Sequence, residues 1–390
     1  MSMRLITFTN LFPSRDMPRH GIFVEERLRH LVATGELEAR VMALRPALPR
    51  FGGVQHGATE QSREVRDGIV VDYQYVPTLP LVSNWIDPWL WAASAESALK
   101  GAVQQAAEAT ILDAHFLYPD CVAAVILGRR LGLPVVMSAR GSDVNVKCLN
   151  PIMKRCVQWA ATRSAAVITV SQALATRLVE LDVRPPILEV IPNGVDLDRF
   201  RPHDKDESRR RVGVSGRTIV SVGHLVPEKG HHFAIEALVQ LPDTNLLIVG
   251  EGPRKTSLKS HAEKLGVSER VHFPGLLRHA DMSYLYSAAD TLVLASSREG
   301  MPNVVLESLA CGTRVVATDV GGIREIIKSD VAGVLITDRS AKGLLEGLAK
   351  IEALAVNTQR TRHYAEQFDW RNILGRQISL YQTVSSNFIN

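Results

Sequence analysis

The sequence predicts an α/β protein of two Rossmann-like domains, each a parallel sheet covered by helices on both faces. Three observations predict it. The chain has 390 residues, more than one ordinary core organises, so two domains are expected. Short β-branched runs alternate with longer helical patterns, the rhythm of parallel strands buried on both sides. That rhythm breaks once, at a turn-rich polar segment, and then restarts.

In order, residues 5–8 read as a first strand and residues 22–34 as the helix after it. Residues 40–44 are the second strand. Residues 110–114, 134–138 and 166–170 continue the pattern, the first of them interrupted by Asp113. The break is Val190-Ile191-Pro192-Asn193-Gly194-Val195-Asp196, followed by the irregular Phe200-Arg201-Pro202-His203-Asp204-Lys205-Asp206. It sets an N-terminal domain at residues 1–183, a linker at 184–216 and a C-terminal domain at 217–371. The second series of strands is 218–222, 245–249, 271–273, 291–294, 314–317 and 333–336. Ligands of open parallel sheets bind beyond the carboxyl ends of the strands. With two sheets, the expected site is the central cleft that they face.

Composition narrows the function. Hydrophobic residues are 46% and charged residues 22%, which argues against long disorder. Cys121, Cys148, Cys156 and Cys311 form no CxxC pair and read as reduced thiols, which fits the cytoplasm. Residues 1–8 are too short for a secretion signal. No apolar stretch approaches the roughly 20 residues that span a bilayer. The net charge of +4 suits an anion such as a nucleoside diphosphate or an acidic membrane surface. No Lys/Arg stripe with interleaved aromatics points to nucleic acid.

The most informative segment follows the strand at 291–294. It runs Ser296-Ser297-Arg298-Glu299-Gly300-Met301-Pro302-Asn303-Val304-Val305-Leu306-Glu307-Ser308-Leu309-Ala310-Cys311-Gly312. Pro302 suits the first turn of a helix and Gly312 its C-terminal cap. The N–H groups at such a start can receive a phosphate, and Gly300 allows close backbone approach. Asn303 and Glu307, four apart, share one helix face. A carboxylate at Glu307 can accept from the vicinal hydroxyls of a ribose, and one at Glu299 from a sugar ring. By spacing alone, a solvated loop Glu and a surface helix Glu read equally well.

Glu299-Gly300-Met301-Pro302-Asn303 followed by Glu307 resembles the signature of the family-four retaining glycosyltransferases with the GT-B fold, the glycosyl transferases group 1. Other segments resemble the family in the expected places. They are Val222-Gly223-His224-Leu225-Val226-Pro227-Glu228-Lys229-Gly230, Val249-Gly250-Glu251-Gly252-Pro253, Gly321-Gly322-Ile323-Arg324-Glu325, His115-Phe116-Leu117-Tyr118-Pro119-Asp120 and Gly141-Ser142-Asp143-Val144-Asn145. The resemblance spans nearly the whole chain, and it implies that a final helix, residues 372–390, crosses back onto the N-terminal domain.

It implies roles residue by residue. Glu299 would contact the donor sugar and Glu307 the nucleotide ribose. Backbone amides of Gly300, Met301, Pro302 (its carbonyl alone), Asn303 and Val304 would line the sugar and diphosphate. Lys229 would stabilise the leaving diphosphate as a point charge. His224 stands where the family usually carries Arg, and neutral imidazole does not replace a bidentate cation. Gly275 and Leu276 match the loop that meets the nucleobase. Gly21 matches the glycine loop that approaches the diphosphate, or simply starts a helix. His115 matches a histidine near the sugar, though a lone His is more often structural. Arg140, where several members carry His, would face the donor phosphates or an anionic acceptor.

Two look-alikes are set aside. Asp196-Leu197-Asp198 has the DxD form of metal-dependent transferases but lies in the linker, where turns are expected. Gly250-Glu251-Gly252-Pro253 lacks the GxGxxG spacing of a dinucleotide site. The expectation is therefore a metal-independent, retaining transferase without a cofactor, the nucleotide sugar being a substrate and a glycan or lipid-linked hydroxyl the acceptor. The alternatives are a nucleotide-sugar epimerase, a phosphorylase or a non-catalytic nucleotide-sugar-binding protein. Residues 75–91 hold three of the five tryptophans, a residue favoured at bilayer interfaces. They suggest peripheral contact with the inner membrane surface.

Overall fold

The computed structural model describes residues 3–47, 62–79, 83–104, 109–354 and 356–389. The chain divides into two compact units, one ending at Pro192 and resuming at Ile373, the other running from Asn193 to Asn372.

Among the described residues, the first unit holds eight strands. They are β1 (Met3–Thr9), β2 (Leu37–Ala47), β3 (Ser62–Arg66), β4 (Ile69–Pro77), β5 (Thr110–His115), β6 (Val135–Ala139), β7 (Ala166–Thr169) and β8 (Leu188–Val190). Their order is β3-β4-β2-β1-β5-β6-β7-β8. Only β3 is antiparallel. It folds back on β4 through Asp67 and Gly68, both at positive φ, as a two-residue hairpin requires. The chain builds outward from β1 on one side and restarts at β5 on the other, so the sheet has its switch point between β1 and β5. Every residue of β5 is buried, as a central parallel strand demands.

Among the described residues, the second unit holds six strands. They are β9 (Arg217–Val222), β10 (Thr244–Val249), β11 (Val271–Gly275), β12 (Thr291–Leu294), β13 (Val315–Thr318) and β14 (Gly333–Ile336). All are parallel, in the order β11-β10-β9-β12-β13-β14. The switch point lies between β9 and β12. Ile219, Ile248, Val293 and Val316 from the strands pack with Ile235, Leu238, Leu258, Leu344 and Leu348 from the covering helices.

Residues 184–216 differ from the expected irregular linker. Leu188–Val190 pair with β7. Lys205–Val212 form a helix whose Asp204 cap accepts from the Glu207 N–H at 2.8 Å and whose end is Gly213 in the left-handed region. A three-residue strand carries too little alternation to read, and the helix is too charged to show an apolar stripe. The tryptophan segment also divides. Trp91 is core at 2% exposure, whereas Trp85 and Trp89 are 53% and 49% exposed. Pro80, Leu81 and Val82 of that segment lie outside the described residues. No described helix is long and apolar enough to cross a membrane.

Candidate active site

In the second unit, the loops leaving β9 and β12 meet at the switch point. Pro227–Lys229 makes one 3-10 turn, with Pro at its start and Gly230 in the left-handed region at its end. Gly230 has no substitute, because a Cβ there would lie 2.1 Å from the Ala295 carbonyl oxygen. The Ser297 N–H donates to the Glu228 carbonyl at 2.8 Å, joining the two loops directly. Lys229 is thereby set against Glu299, with Nζ donating to Oε1 at 2.6 Å. The Ser296 hydroxyl donates to the same oxygen at 2.7 Å. The pair is poised rather than sealed, since the Lys229 side chain keeps 26% of its exposure and can meet an arriving anion.

Beyond Glu299 the backbone is pinned from two sides. The Gly322 N–H donates to the Gly300 carbonyl at 3.0 Å, and a Cβ on Gly321 would sit 1.9 Å from the Glu299 carbonyl oxygen. Asn193 then spans the next turn, its Nδ2 donating to the Met301 carbonyl (3.1 Å) and to Asn303 Oδ1 (2.8 Å). The helix is Asn303–Ala310, so Pro302 is its N-cap and not its first residue, and that cap makes no side-chain hydrogen bond. The first-turn amides of Asn303 and Val304 are the groups an outside phosphate would meet. On the same helix Glu307 accepts from the Tyr286 hydroxyl at 2.7 Å, which fixes the direction of its carboxylate. The neighbouring Cys311 thiol is held protonated by burial, with Glu307 adding to the effect.

The remaining loops at this edge are stitched together. Gly223 N–H donates to the Val249 carbonyl and Gly250 N–H to the Gly275 carbonyl. A Cβ on Gly250 would meet the Gly223 carbonyl oxygen at 1.9 Å, so the β9 and β10 loops lie in backbone contact. His224 is exposed on this rim, as is Leu276, while Gly275 is buried beneath it. The His224 carbonyl accepts from His231 Nε2 (3.3 Å), and His231 Nδ1 accepts from the Ser221 hydroxyl (2.8 Å). Burial lowers His231 to about 4, so it is neutral, and these partners assign its tautomer. Arg339 completes the edge. Its Nε donates to the Ala295 carbonyl (2.8 Å), and its Nη2 to those of Pro227 (3.0 Å) and Glu228 (3.2 Å). Sequence reasoning missed Asn193, Tyr286, His231 and Arg339. Only Asn193 lay in a segment already marked, and there it read as a turn residue.

In the first unit, Gly21 stands after β1, His115 ends β5 and Arg140 follows β6. Gly21 has φ 71 at the start of Ile22–Ala33. A Cβ there would lie 2.1 Å from Leu11 backbone atoms, so glycine is what lets the residue 10–21 loop fold back. His115 is 2% exposed. Its Nε2 donates to Asp113 Oδ2 at 2.8 Å, and its Nδ1 accepts from Arg140 Nη2. Burial lowers it to about 4, so the ring is neutral. With both nitrogens taken, His115 orients Arg140 rather than presenting an edge to a sugar. Burial and the charge of Arg27 lower Arg140 to about 9, still a cation at neutral pH. Asp113 also accepts from the Tyr381 hydroxyl at 2.9 Å. The DxD look-alike forms a turn, with Asp196 Oδ1 accepting from the Asp198 and Arg199 N–H groups.

Comparison with known proteins agrees with this geometry. The profile described as glycosyl transferases group 1 matches residues 204–368, and that of glycosyltransferase family 4 matches residues 26–199. A Bacillus subtilis (strain 168) protein, provisionally named the teichuronic acid biosynthesis glycosyltransferase TuaC, is 32% identical over 90% of this chain and 89% of its own. The D-inositol 3-phosphate glycosyltransferase of Mycobacterium ulcerans (strain Agy99) is 29% identical over 52% of this chain and 47% of its own. Among solved structures, the sucrose-phosphate synthase of Thermosynechococcus elongatus superposes with a TM-score of 0.81 at 17% identity, covering 99% of this chain and 100% of that one. Anabaena Alr3699/HepE in complex with UDP-glucose gives 0.74 at 22% identity, with the same coverage. Both halves of the chain are thus matched, and the protein belongs to the glycosyl transferases group 1, glycosyltransferase family 4, with the GT-B fold.

Proposed function

We propose that this glycosyltransferase moves a sugar from a nucleoside diphosphate sugar to a hydroxyl of a glycan or lipid-linked acceptor, at the inner membrane surface, during cell-envelope or polysaccharide synthesis. Transfer retains the anomeric configuration and uses neither metal nor cofactor. The observation that carries the reading is the Lys229–Glu299 pair at the switch point, one helical segment from Glu307. Relatives support the donor class, since the Anabaena protein is seen with UDP-glucose. They support the setting through the teichuronic acid name.

In this reading Glu307, steadied by Tyr286, accepts from the ribose hydroxyls. Glu299 accepts from a hydroxyl of the donor sugar. Lys229 and the Asn303 and Val304 amides hold the diphosphate. As the bond from the anomeric carbon to the phosphate oxygen breaks, negative charge grows on that oxygen, and these groups stabilise it. The acceptor oxygen bonds to the anomeric carbon on the face the phosphate leaves. Its proton passes to the departing phosphate, so no separate general base is needed.

The test is a panel of nucleotide sugars screened for thermal stabilisation, which reports binding by linkage. Radiolabelled transfer with the best donor follows. A donor should stabilise wild type, and Lys229→Ala should abolish turnover while the protein still folds. Conversion of the donor with no acceptor present would favour an epimerase. Binding with no turnover on any acceptor would favour a non-catalytic role.

A further inference from the structure

Among the described residues of the first unit, exposed large apolar side chains stand singly at Met17, Val65, Val179 and Phe388 and cluster only on two neighbouring segments, at Trp85 and Trp89 and at Val146, Leu149 and Ile152. One is the start of the helix Ser83–Gln104. Trp85 and Trp89 lie one turn apart on its outer side, while Asp87 and Trp91 are buried. The other runs from Val146 into the helix Pro151–Ala161, where Leu149 is 64% and Ile152 41% exposed. The segments adjoin. The two helices pack on each other, and Lys147 lies near enough to Asp87 to oppose the burial that raises that carboxyl. The second segment also carries Lys154 and Arg155, and no acidic residue falls between Val146 and Ala161.

We propose that these two segments form one docking surface for an anionic lipid bilayer, with Trp85, Trp89, Leu149 and Ile152 entering the interface and Lys147, Lys154 and Arg155 meeting the headgroups. Indole suits that depth, because its ring is apolar and its N–H stays wet. The basic side chains lay their stems along the apolar surface and keep their charge in water. Their presence argues for lipid over a protein partner, since Lys is depleted from protein interfaces and enriched beside membranes. The chain needs no spanning helix for such contact. Docking supplies the membrane contact of the proposed function and rests on that part of it alone. It is measured without any sugar, so its failure and a failure of transfer are separate results.

The test is co-sedimentation of the full chain with phosphatidylcholine vesicles and with vesicles that also contain phosphatidylglycerol. Wild type should bind the anionic vesicles at least tenfold more tightly and be released by salt. Lys154→Gln with Arg155→Gln should weaken binding by about twenty-fivefold, at about fivefold per basic group near the surface. Leu149→Ser with Ile152→Ser, and Trp85→Ser with Trp89→Ser, should each weaken it by about tenfold or more, with melting temperatures unchanged. Should either pair unfold the protein, Leu149→Ser alone, at the most exposed of the four, carries the measurement. Absence of wild-type binding to the anionic vesicles overturns the proposal. So does binding that survives the Leu149 and Ile152 substitutions, or self-association through these residues without vesicle binding.

Discussion

The contact between Tyr286 and Glu307 gives the proposed ribose role a test that separates affinity from rate. The Tyr286 hydroxyl gives Glu307 a fixed direction. Hydrogen bonds from a ribose form in the ground state as well as in the transition state, so they set binding more than chemistry. Glu307→Ala should therefore weaken donor binding by about 1.5–3 kcal/mol, the range for charged hydrogen bonds, and Tyr286→Phe by about 1 kcal/mol. Calorimetry with the identified donor checks both, and unchanged affinity in Glu307→Ala would remove the ribose role. A second residue prediction concerns Asp87. Burial raises its carboxyl to about 6 from 3.8, with Lys147 opposing. A raised carboxyl pKa means that the fold favours the protonated form. Stability is lost as pH rises from 3.8 through 6, and the loss persists at pH 7. Asp87→Asn should thus raise the melting temperature at pH 7 by about 2–4 °C, corresponding to about 1 kcal/mol, and should give no gain at pH 4. A fall at pH 7 would contradict it.

At the scale of elements, the donor edge depends on loops that bind one another, and Arg339 holds two of them. Its fork spans the carbonyls of Ala295, Pro227 and Glu228. A lysine ammonium cannot reproduce that spread. Arg339→Lys should free the loops that carry Lys229 and Glu299. The expected result is faster amide exchange at residues 227–230 and 295–299 and a fall in turnover of about tenfold, one to two net hydrogen bonds' worth. Unchanged exchange would show that the loops hold themselves. The same contrast explains what was legible in the sequence. Strands β9, β10, β12 and β13 were readable because a short apolar run ends in a glycine or polar loop within a few residues. The motif at Glu299 and Glu307 was readable because its residues are close in the chain. Arg339 was not, because its partners are more than 40 residues away. Asp113 was misread for the same reason. It looked like a flaw in β5, and its Tyr381 partner lies 268 positions along the chain. The hairpin of β3 and β4 went unseen because β3, Ser-Arg-Glu-Val-Arg, has no apolar face. His115 was found from its pattern, but its direction is set by Arg140 and Asp113, which no local pattern shows.

Among the described residues, each unit keeps one fully buried histidine, and both are neutral. Burial lowers both His115 and His231 from 6.5 to about 4. The fold therefore disfavours their protons. Their stabilisation is present above pH 6.5 and is lost as pH falls toward 4, by at most about 3 kcal/mol for each. His231→Gln keeps a donor for the His224 carbonyl and should flatten the acid limb of the stability curve between those values. Denaturant unfolding at pH 7 and pH 5 measures it, and an unaltered slope would contradict the assignment. If cationic groups and helix amides hold the diphosphate, as the proposed function has it, turnover should survive chelation. Loss in EDTA with rescue by Mn²⁺ or Mg²⁺ would overturn that reading. The excursion of the chain through the second unit has one further outcome, for synthesis. Tyr381, Leu380, Ile378 and Val384 of the last helix, itself part of the first unit, are buried, and Tyr381 holds Asp113 there. A ribosome releases residues in order, so the unit it starts first can close its interior only once the last helix has emerged. The unit inserted within it is complete about twenty residues sooner. Chains truncated after Asn372 and released should show a protease-resistant second unit beside a first unit that is still cut.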